Sequence, residues 1–396
     1  RTTQRRGARM RSEPRNLPSI SRWQRGVVLP TIIRSLLGTV AALLLVTSAC
    51  GSSSNSESAT ITETATTNTG ESPTTIADAS SGVDSDLSPL FAGGALTSDV
   101  AIVDCTLEND SETTCYQLEV ASLPSTVDTG GPYCPATTSD VGGIWVWDGE
   151  DPGLYALDGD FWAMMSAQGY DFVNADDTIS ITDPGEGAAD SASTPNSCLE
   201  ATADASYHLQ ILLPTDPELL DEPVSLSTIS QIGLALDGVT IFGDAPSVAD
   251  RGGLPALDAC GGHIDPSGYY HWHFGAESIQ TNLDDAGVDV ECGVDQNVET
   301  LIGFSYDGYP LYGPVEDRAV PSDLDECSGH VSDTAEFGET YHYHLTYDSP
   351  NLPTCRVGAA AVASLSSPDN ANASLPGGSG PGAGGPGDGG PPPGQG

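Results

Sequence analysis

The sequence predicts a mainly β domain (a β-rich α+β class) that is held by disulfides and flanked by disordered segments. Three observations predict this class. Short apolar stretches alternate with Gly, Pro and Asp turn signals along most of the chain. Eight cysteines follow residue 50, and three motifs recur in the same order about seventy residues apart. We therefore expect the domain to contain a duplicated hairpin–loop–strand unit.

The first 49 residues have the pattern of a secretory signal peptide. Nine of the twelve basic residues lie in the first 34 positions, and the apolar run SLLGTVAALLLVTSAC then ends at Cys50. Small residues before a cysteine resemble a bacterial lipobox, although Thr47 stands where leucine is usual. The alternative is an uncleaved signal anchor within residues 27–49, a run that a proline and an arginine interrupt.

The lipobox resemblance implies a lipid on Cys50 as the first residue of the mature protein. That anchor would hold an exported protein at the outer face of the cytoplasmic membrane or at the cell surface. Residues 50–94 would then form a disordered linker, because their Ser/Thr-rich composition cannot bury a core.

The chain after Cys50 is strongly acidic. It contains 55 acidic residues against three arginines, and the whole sequence has a net charge of −44. Such a field repels nucleic acid, so we expect no nucleic-acid partner, and it attracts cations. A solvated, salt-tolerant surface explains the bulk of the charge, which therefore does not identify a metal site by itself.

One globular domain is expected over residues 95–358, a length that can bury a sizeable core. The Gly/Pro-rich tail of residues 359–396 is predicted to be disordered. In the first half, VDCTLENDSETTCYQLEVASL predicts a cysteine-linked hairpin, and GGIWVWDG, DDTISITDPG and YHLQILLP predict strands. The stretch DGDFWAMMSAQGYDFV predicts a helix whose apolar side carries Phe161, Met164, Met165 and Phe172. His208 is expected to be an ordinary strand residue.

The repeated unit spans about residues 232–292 and 302–355. IGLALDGVTIFGD matches IGFSYDGYPLYGP, LDACGGH matches LDECSGH, and YYHWHF matches TYHYHL. Alternating apolar residues around Asp-Gly predict a β-hairpin in each unit. Asp237 and Asp307 are therefore expected to form turns rather than to act as ligands or catalytic acids.

The cysteines predict disulfides, because their number is even in a chain with an export signal and no C-x-x-C pair suggests a metal thiolate site. The repeat favours Cys260–Cys292 and Cys327–Cys355, which leaves Cys105–Cys115 and Cys134–Cys198 for the first half. The sequence alone does not fix this connectivity, since eight cysteines allow many pairings.

The histidines are the candidate metal ligands. In a strand, residues i and i+2 share a face, so each H-x-H pair presents two imidazoles side by side. The histidine of each LD-x-C-x-G-H loop adds a third. Three histidines with an open position suit zinc, and imidazole also suits copper. We expect a divalent transition metal, zinc or copper, bound by His263, His271, His273, His330, His342 and His344.

Two other interpretations of the histidines stay open. They could donate to backbone carbonyls and lock loops, or one pair could act as a metal-free general acid and base. At the level of function, the alternatives are a non-catalytic surface binding or scaffold module and a secreted metal-dependent enzyme with copper beside Tyr341 or Tyr343. No nucleophile elbow, H-E-x-x-H, Walker loop or dinucleotide fingerprint is present, so whether any reaction is catalysed is open.

The paired motifs resemble the YHYH-domain proteins. The resemblance covers about residues 97–358 and also extends to the VDCTLENDSETTCY and GGIWVWDGEDPGLYALDGDFW stretches. One departure is Trp272, which stands where the motif has tyrosine and keeps an aromatic ring. The resemblance implies the domain boundaries and export. It implies no reaction, because the family has no assigned biochemical activity.

Overall fold

The computed structural model describes residues 86–131, 133–186, 196–226, 230–243, 248, 252–294, 296–347 and 351–369. The predicted signal peptide, Cys50 and nearly all of the predicted linker and tail lie outside these residues. Within them the chain is mainly β, as the sequence predicts.

Short strands dominate the described part of the chain. They are β1 (Ala101–Thr106), β2 (Glu112–Ala121), β3 (Ile144–Trp147), β4 (Gly153–Ala156), β5 (Ile181–Thr182), β6 (Ser197–Leu199), β7 (His208–Pro214), β8 (Leu219–Ser225), β9 (Gln231–Ala235), β10 (Thr240–Phe242), β11 (Gly253–Pro255), β12 (Gly262–Ile264), β13 (Tyr270–Trp272), β14 (Leu301–Ser305), β15 (Pro310–Tyr312), β16 (Gly329–Thr334), β17 (Gly338–His344), β18 (Cys355–Gly358) and β19 (Leu365–Ser366). Two α-helices accompany them, α1 (Gly159–Ala167) and α2 (Ala276–Ala286), with short 3-10 turns at Ser88–Leu90 and Pro184–Glu186.

The largest sheet has eight strands in the order β12-β13-β10-β9-β14-β15-β17-β16. A four-stranded sheet has the order β1-β2-β7-β19, and a three-stranded sheet has the order β11-β6-β5. Strands β18 and β8 pair with each other, as do β3 and β4. The described fold extends past both predicted domain boundaries, because the Ser88–Leu90 turn precedes residue 95 and β19 follows residue 358.

The centre of the eight-stranded sheet is formed by two antiparallel hairpins, β9–β10 and β14–β15, whose first strands pair with each other. Asp-Gly lies at each hairpin turn, and Gly238 and Gly308 have φ of 79° and 88°. Glycine adopts this left-handed conformation without the penalty that a Cβ brings. Outside each hairpin lies a parallel strand, β13 or β17, and then an antiparallel edge strand, β12 or β16. A common origin of the two halves stays a prediction.

The first half contains the predicted hairpin, since β1 and β2 pair antiparallel and carry the Cys105–Cys115 disulfide. Helix α1 begins at the cap Asp158, whose carboxylate accepts from two backbone amides of the first turn. Phe161 and Met165 of α1 are buried, whereas Phe172 is buried beyond the end of the helix. Helix α2 was not anticipated from the sequence. It buries Ile279 and Leu283 and ends at a glycine in the left-handed region.

Four disulfides are present, and they join Cys105 to Cys115, Cys134 to Cys198, Cys260 to Cys292 and Cys327 to Cys355. The last two are the pairings that the repeat favours, and the first two are those that remain for the first half. Disulfides are consistent with an extracellular protein. No helix in the described part of the chain is both long enough and apolar enough to cross a membrane.

Candidate metal centres

An aspartate-anchored turn precedes the first histidine of each unit. Asp258 accepts backbone hydrogen bonds from Cys260 at 2.8 Å and Gly262 at 2.9 Å, and its second oxygen accepts from the Tyr270 hydroxyl. Such a side chain replaces backbone acceptors and fixes the course of the turn. The turn therefore directs the chain straight into β12, which carries His263.

The second turn has the same construction. Asp325 accepts from the amides of Cys327 at 2.8 Å and Gly329 at 3.1 Å and from the Tyr341 hydroxyl at 2.9 Å. The residue in the left-handed region is Ser328 here, with φ of 62°, where the first turn has a glycine. This turn leads into β16, which carries His330.

His263 and His330 lie on strands, so their assignment to loops was wrong. His263 is directly opposite His271 in the β12–β13 pair, and His330 is opposite His342 in the β16–β17 pair. Side chains of directly opposed residues lie on the same face of a sheet. Cross-strand register thus brings the third histidine to the face that each H-x-H pair already shares.

The first group, here the His263 cluster, consists of His263, His271 and His273. Their Nε2 atoms form a triangle with sides of 3.2 Å (His263 to His271), 3.2 Å (His271 to His273) and 3.1 Å (His273 to His263). The Nδ1 atom of His273 lies 2.6 Å from the carbonyl oxygen of Gly243, at the end of β10. His271 and His273 are each 3% exposed.

The second group, here the His330 cluster, consists of His330, His342, His344 and Glu316. The three Nε2 atoms lie 3.2 Å (His330 to His342), 3.1 Å (His342 to His344) and 3.3 Å (His344 to His330) apart. A carboxylate oxygen of Glu316 lies 3.0 Å from Nε2 of His330. In each cluster the candidate ligand atoms all lie within 4.8 Å of one another.

The Nδ1 atoms of the His330 cluster all face acceptors. They lie 2.7 Å from the Gly313 carbonyl (His344), 3.2 Å from the Thr340 carbonyl (His342) and 3.2 Å from the Asp323 carboxylate (His330). A carbonyl oxygen can only accept, so Nδ1 of His342 and of His344 carries the proton of a neutral imidazole, and the Nε2 atoms of these two histidines present lone pairs. His330 has a carboxylate at both ring nitrogens, Asp323 at Nδ1 and Glu316 at Nε2.

Burial favours the neutral form of five imidazoles, those of His263, His271, His273, His342 and His344. It lowers the pKa of His273 and of His344 to about 4, against an opposing hydrogen bond to a carbonyl in each case. Burial and the neighbouring imidazoles lower the pKa of His263 and His271 well below the usual range. In the His330 cluster burial also lowers the pKa of His342, while Glu316 acts in the opposite direction. Protonation of these five imidazoles is therefore disfavoured, so their lone pairs stay available to a metal ion near neutral pH.

The spacing fits one tetrahedral ion in each cluster. Two nitrogens bound to zinc at about 2.0 to 2.1 Å in tetrahedral geometry are about 3.3 to 3.4 Å apart. The observed 3.1 to 3.3 Å separations come close to this value. The two clusters are separate, because β13 and β17 have four other strands between them in the sheet. Either cluster could hold a single metal ion.

Residues 210–320 match the YHYH protein family. The match includes the His263 cluster and Glu316 and ends before the histidines of the His330 cluster. No curated protein and no solved structure matches the chain significantly.

Glu316, inside the YHYH match, is a candidate ligand that the sequence did not indicate. It follows β15 by four residues, and its other carboxylate oxygen accepts from the Ser332 hydroxyl on β16. The matching position of the first unit is Pro246, so the repeat comparison gave no signal for a carboxylate there.

The aromatic residues of the YHYH motif serve other contacts. The hydroxyls of Tyr341 and Tyr343 donate to Asp325 and Asp307, and the Trp272 indole donates to the Tyr270 hydroxyl at 3.0 Å. The tyrosine ring that packs on His342 is that of Tyr312, with centroids 5.1 Å apart. His208, at the start of β7, is exposed, lies 3.1 Å from Asp369 and is outside both clusters.

We expect Asp258 to make stability depend on pH. Burial raises the pKa of Asp258 to about 6, although the Tyr270 hydroxyl and two backbone amides oppose the shift. A carboxyl whose pKa is raised by folding contributes stability below its unfolded pKa of about 3.9 and loses that contribution as the pH rises through the folded value. Asp258→Asn should therefore reduce the fall in the free energy of unfolding between about pH 4 and 7. Urea denaturation of chelator-treated protein over this pH range measures the fall in the free energy of unfolding. Asp325→Asn, which replaces an exposed aspartate, is the control. An unchanged slope in Asp258→Asn would contradict the expectation.

Proposed function

We propose that this protein binds one transition-metal ion, zinc or copper, in each of its two histidine clusters. The observation that carries the proposal is the convergence of three Nε2 atoms at 3.1 to 3.3 Å in each cluster. Neutral imidazole is the form that binds zinc and copper. A bound cation would give the converging Nε2 atoms of each cluster a common partner.

A purely structural role for the histidines fits the contacts less well. Histidines that only lock the backbone need donor–acceptor pairs, and the carbonyl contacts of Nδ1 at Gly243 and Gly313 supply these. Those same contacts leave Nε2 of His273 and His344 without a proton to donate. Their Nε2 lone pairs converge with the Nε2 atoms of the neighbouring histidines, and a metal ion accounts for this convergence.

The hydrogen bonds at the Nδ1 atoms of the His330 cluster also resemble those of metal sites. Ligating histidines commonly donate their other ring nitrogen to a carbonyl or a carboxylate, which fixes the ring orientation. His344 does so to Gly313, and His330 does so to Asp323. These contacts support the assignment of the histidines as ligands.

The proposed setting is the outside of the cell. Residues 1–49 would act as a signal peptide, Cys50 would carry the lipid, and the linker would separate the domain of residues 95–358 from the membrane. The four disulfides support an oxidising compartment. We infer no nucleic-acid partner from the acidic charge. Labelling of the expressed protein with a radioactive fatty acid, lost in Cys50→Ser, tests the anchor.

Elemental analysis of the purified full chain tests metal binding. We expect two zinc or copper ions per chain, and one ion per chain in a His342→Ala/His344→Ala variant, because the His263 cluster stays intact. His208→Ala is the matched control, since it removes an exposed histidine outside both clusters. A folded protein that stays metal-free after incubation with zinc and copper would reject the proposal. Loss of thermal stability in the double variant without any metal signal would indicate a scaffold role.

A further inference from the structure

The two clusters differ in how many protein ligands converge. The His330 cluster contains three imidazoles and the Glu316 carboxylate, whereas three histidines alone converge in the His263 cluster among the residues that the structure describes. Metal sites with four protein ligands are closed, and sites with three leave a position for water or another exogenous ligand. The difference in donor number therefore predicts a difference in chemistry.

The nitrogen triangle of the His263 cluster gives this fourth position a direction. An ion bound at about 2.0 to 2.1 Å from all three nitrogens would lie about 0.9 Å outside their plane, because the triangle is too small to hold it within the plane. Its remaining coordination position then points away from the imidazoles. In the His330 cluster Glu316 provides the additional donor, with its oxygen 3.0 Å from Nε2 of His330.

Charge indicates what would occupy that position. Three neutral imidazoles do not compensate the two positive charges of a divalent ion. In the His263 cluster these charges would be buried, because the ligands His271 and His273 are buried. A buried charge without a counter-ion is unfavourable, and a bound anion reduces the cost. Glu316 supplies one negative charge directly in the other cluster, and Asp323 supplies a second through His330.

We propose that the metal ion of the His263 cluster takes a small exogenous anion, such as hydroxide, as its fourth ligand, whereas Glu316 closes the His330 cluster. This inference rests on the proposed function, because both clusters must bind metal. It makes the His263 cluster the one of the two that can exchange ligands, and it makes Glu316 the residue that prevents exchange in the other.

The full chain loaded with Co²⁺ tests the inference, with azide as the anion probe. Cobalt replaces zinc in such sites, and its visible spectrum changes when a ligand is added or exchanged. Azide should change the spectrum of one of the two cobalt ions in the unmodified protein and of both ions in Glu316→Gln. Glu339→Gln is the matched control, because Glu339 is exposed on the same strand pair and should leave one ion responsive.

Variants that retain one cluster locate the responsive ion. His342→Ala/His344→Ala should keep an azide-responsive cobalt, and His271→Ala/His273→Ala should keep an unresponsive one. Cobalt bound in both clusters with no azide response at the His263 cluster would overturn the inference and leave the proposed function standing. Asp244 is the acidic residue that follows Gly243 in the sequence. An azide response that appears at this cluster only in Asp244→Asn would overturn the inference too, because a side chain of the protein would then fill the fourth position. Absence of cobalt from both clusters would reject the proposed function as well.

Discussion

Replacing Asp307 with alanine is expected to lower the free energy of unfolding by about 3 kcal/mol or more. Asp307 is fully buried at the turn of the β14–β15 hairpin. One of its oxygens accepts from the Tyr343 hydroxyl at 2.6 Å and from the Gly358 amide at 2.9 Å. Alanine would leave both donors buried without this acceptor, and each such group costs about 1 to 3 kcal/mol.

The contacts of Asp307 also connect the His330 cluster to strand β18. Tyr343 lies between His342 and His344 in β17, and its hydroxyl oxygen accepts from the Val357 amide of β18 at 2.8 Å. The aspartate, the tyrosine and β18 therefore hold the strand that carries two of the candidate ligands. We expect Asp307→Ala to weaken metal binding at the His330 cluster and to leave the His263 cluster unaffected.

Asp237→Ala is the matched control for this prediction. Asp237 occupies the equivalent Asp-Gly turn of β9–β10, is only partly buried, and accepts from the Gln296 side-chain amide at 3.2 Å. Its replacement should cost about 1 kcal/mol, the usual contribution of one hydrogen bond. Urea denaturation of the two variants gives both values. Equal losses would show that the turn, rather than the buried contact with Tyr343, is what Asp307 stabilises.

Local periodicity made much of this fold predictable. The Asp-Gly turns and their flanking apolar residues indicated β9–β10 and β14–β15, and both hairpins form. The alternation of a strand placed His271 with His273 and His342 with His344 on shared faces. Their buried Nε2 atoms lie 3.2 Å and 3.1 Å apart, as a common ion would need.

Other features depend on contacts that short-range patterns do not contain. The three residues of β12 include a glycine and have weak intrinsic strand preference, so pairing with β13 decides their conformation. Helix α2 offers a single buried pair at helical spacing, Ile279 and Leu283, which is too little to indicate a helix. Asp307 and Tyr343 are 36 residues apart, and nothing in the sequence pairs them.

Glu316 shows the same limit at the candidate site. It lies in the segment after β15, and it reaches His330 because the parallel pairing of β15 with β17 and the antiparallel pairing of β17 with β16 bring these segments together. The sequence contains 56 acidic residues, so a single carboxylate has no distinguishing signal before the topology is known. Histidine is scarce, with seven in the chain, which is why the imidazole ligands could be nominated and the carboxylate could not.

Removing metal with a chelator is expected to lower the unfolding temperature substantially. An ion that binds only the folded state at a free concentration of 1,000 times its Kd contributes about 4 kcal/mol. The effect should be large here, because the three Nε2 atoms of each cluster already lie 3.1 to 3.3 Å apart, as one ion requires. The four disulfides should keep the metal-free chain folded at lower temperature, so that the transition can be measured.

Thermal unfolding at increasing free zinc concentrations separates this stabilisation from other effects of the chelator. The unfolding temperature should rise with zinc in the unmodified protein and in His208→Ala, and it should rise by less in His342→Ala/His344→Ala, where one cluster is removed. If the histidines only lock the backbone, the unfolding temperature would be independent of zinc in all three proteins. Since mass action ties the slope of this dependence to the number of ions released on unfolding, the same titration counts the occupied clusters without reference to any activity.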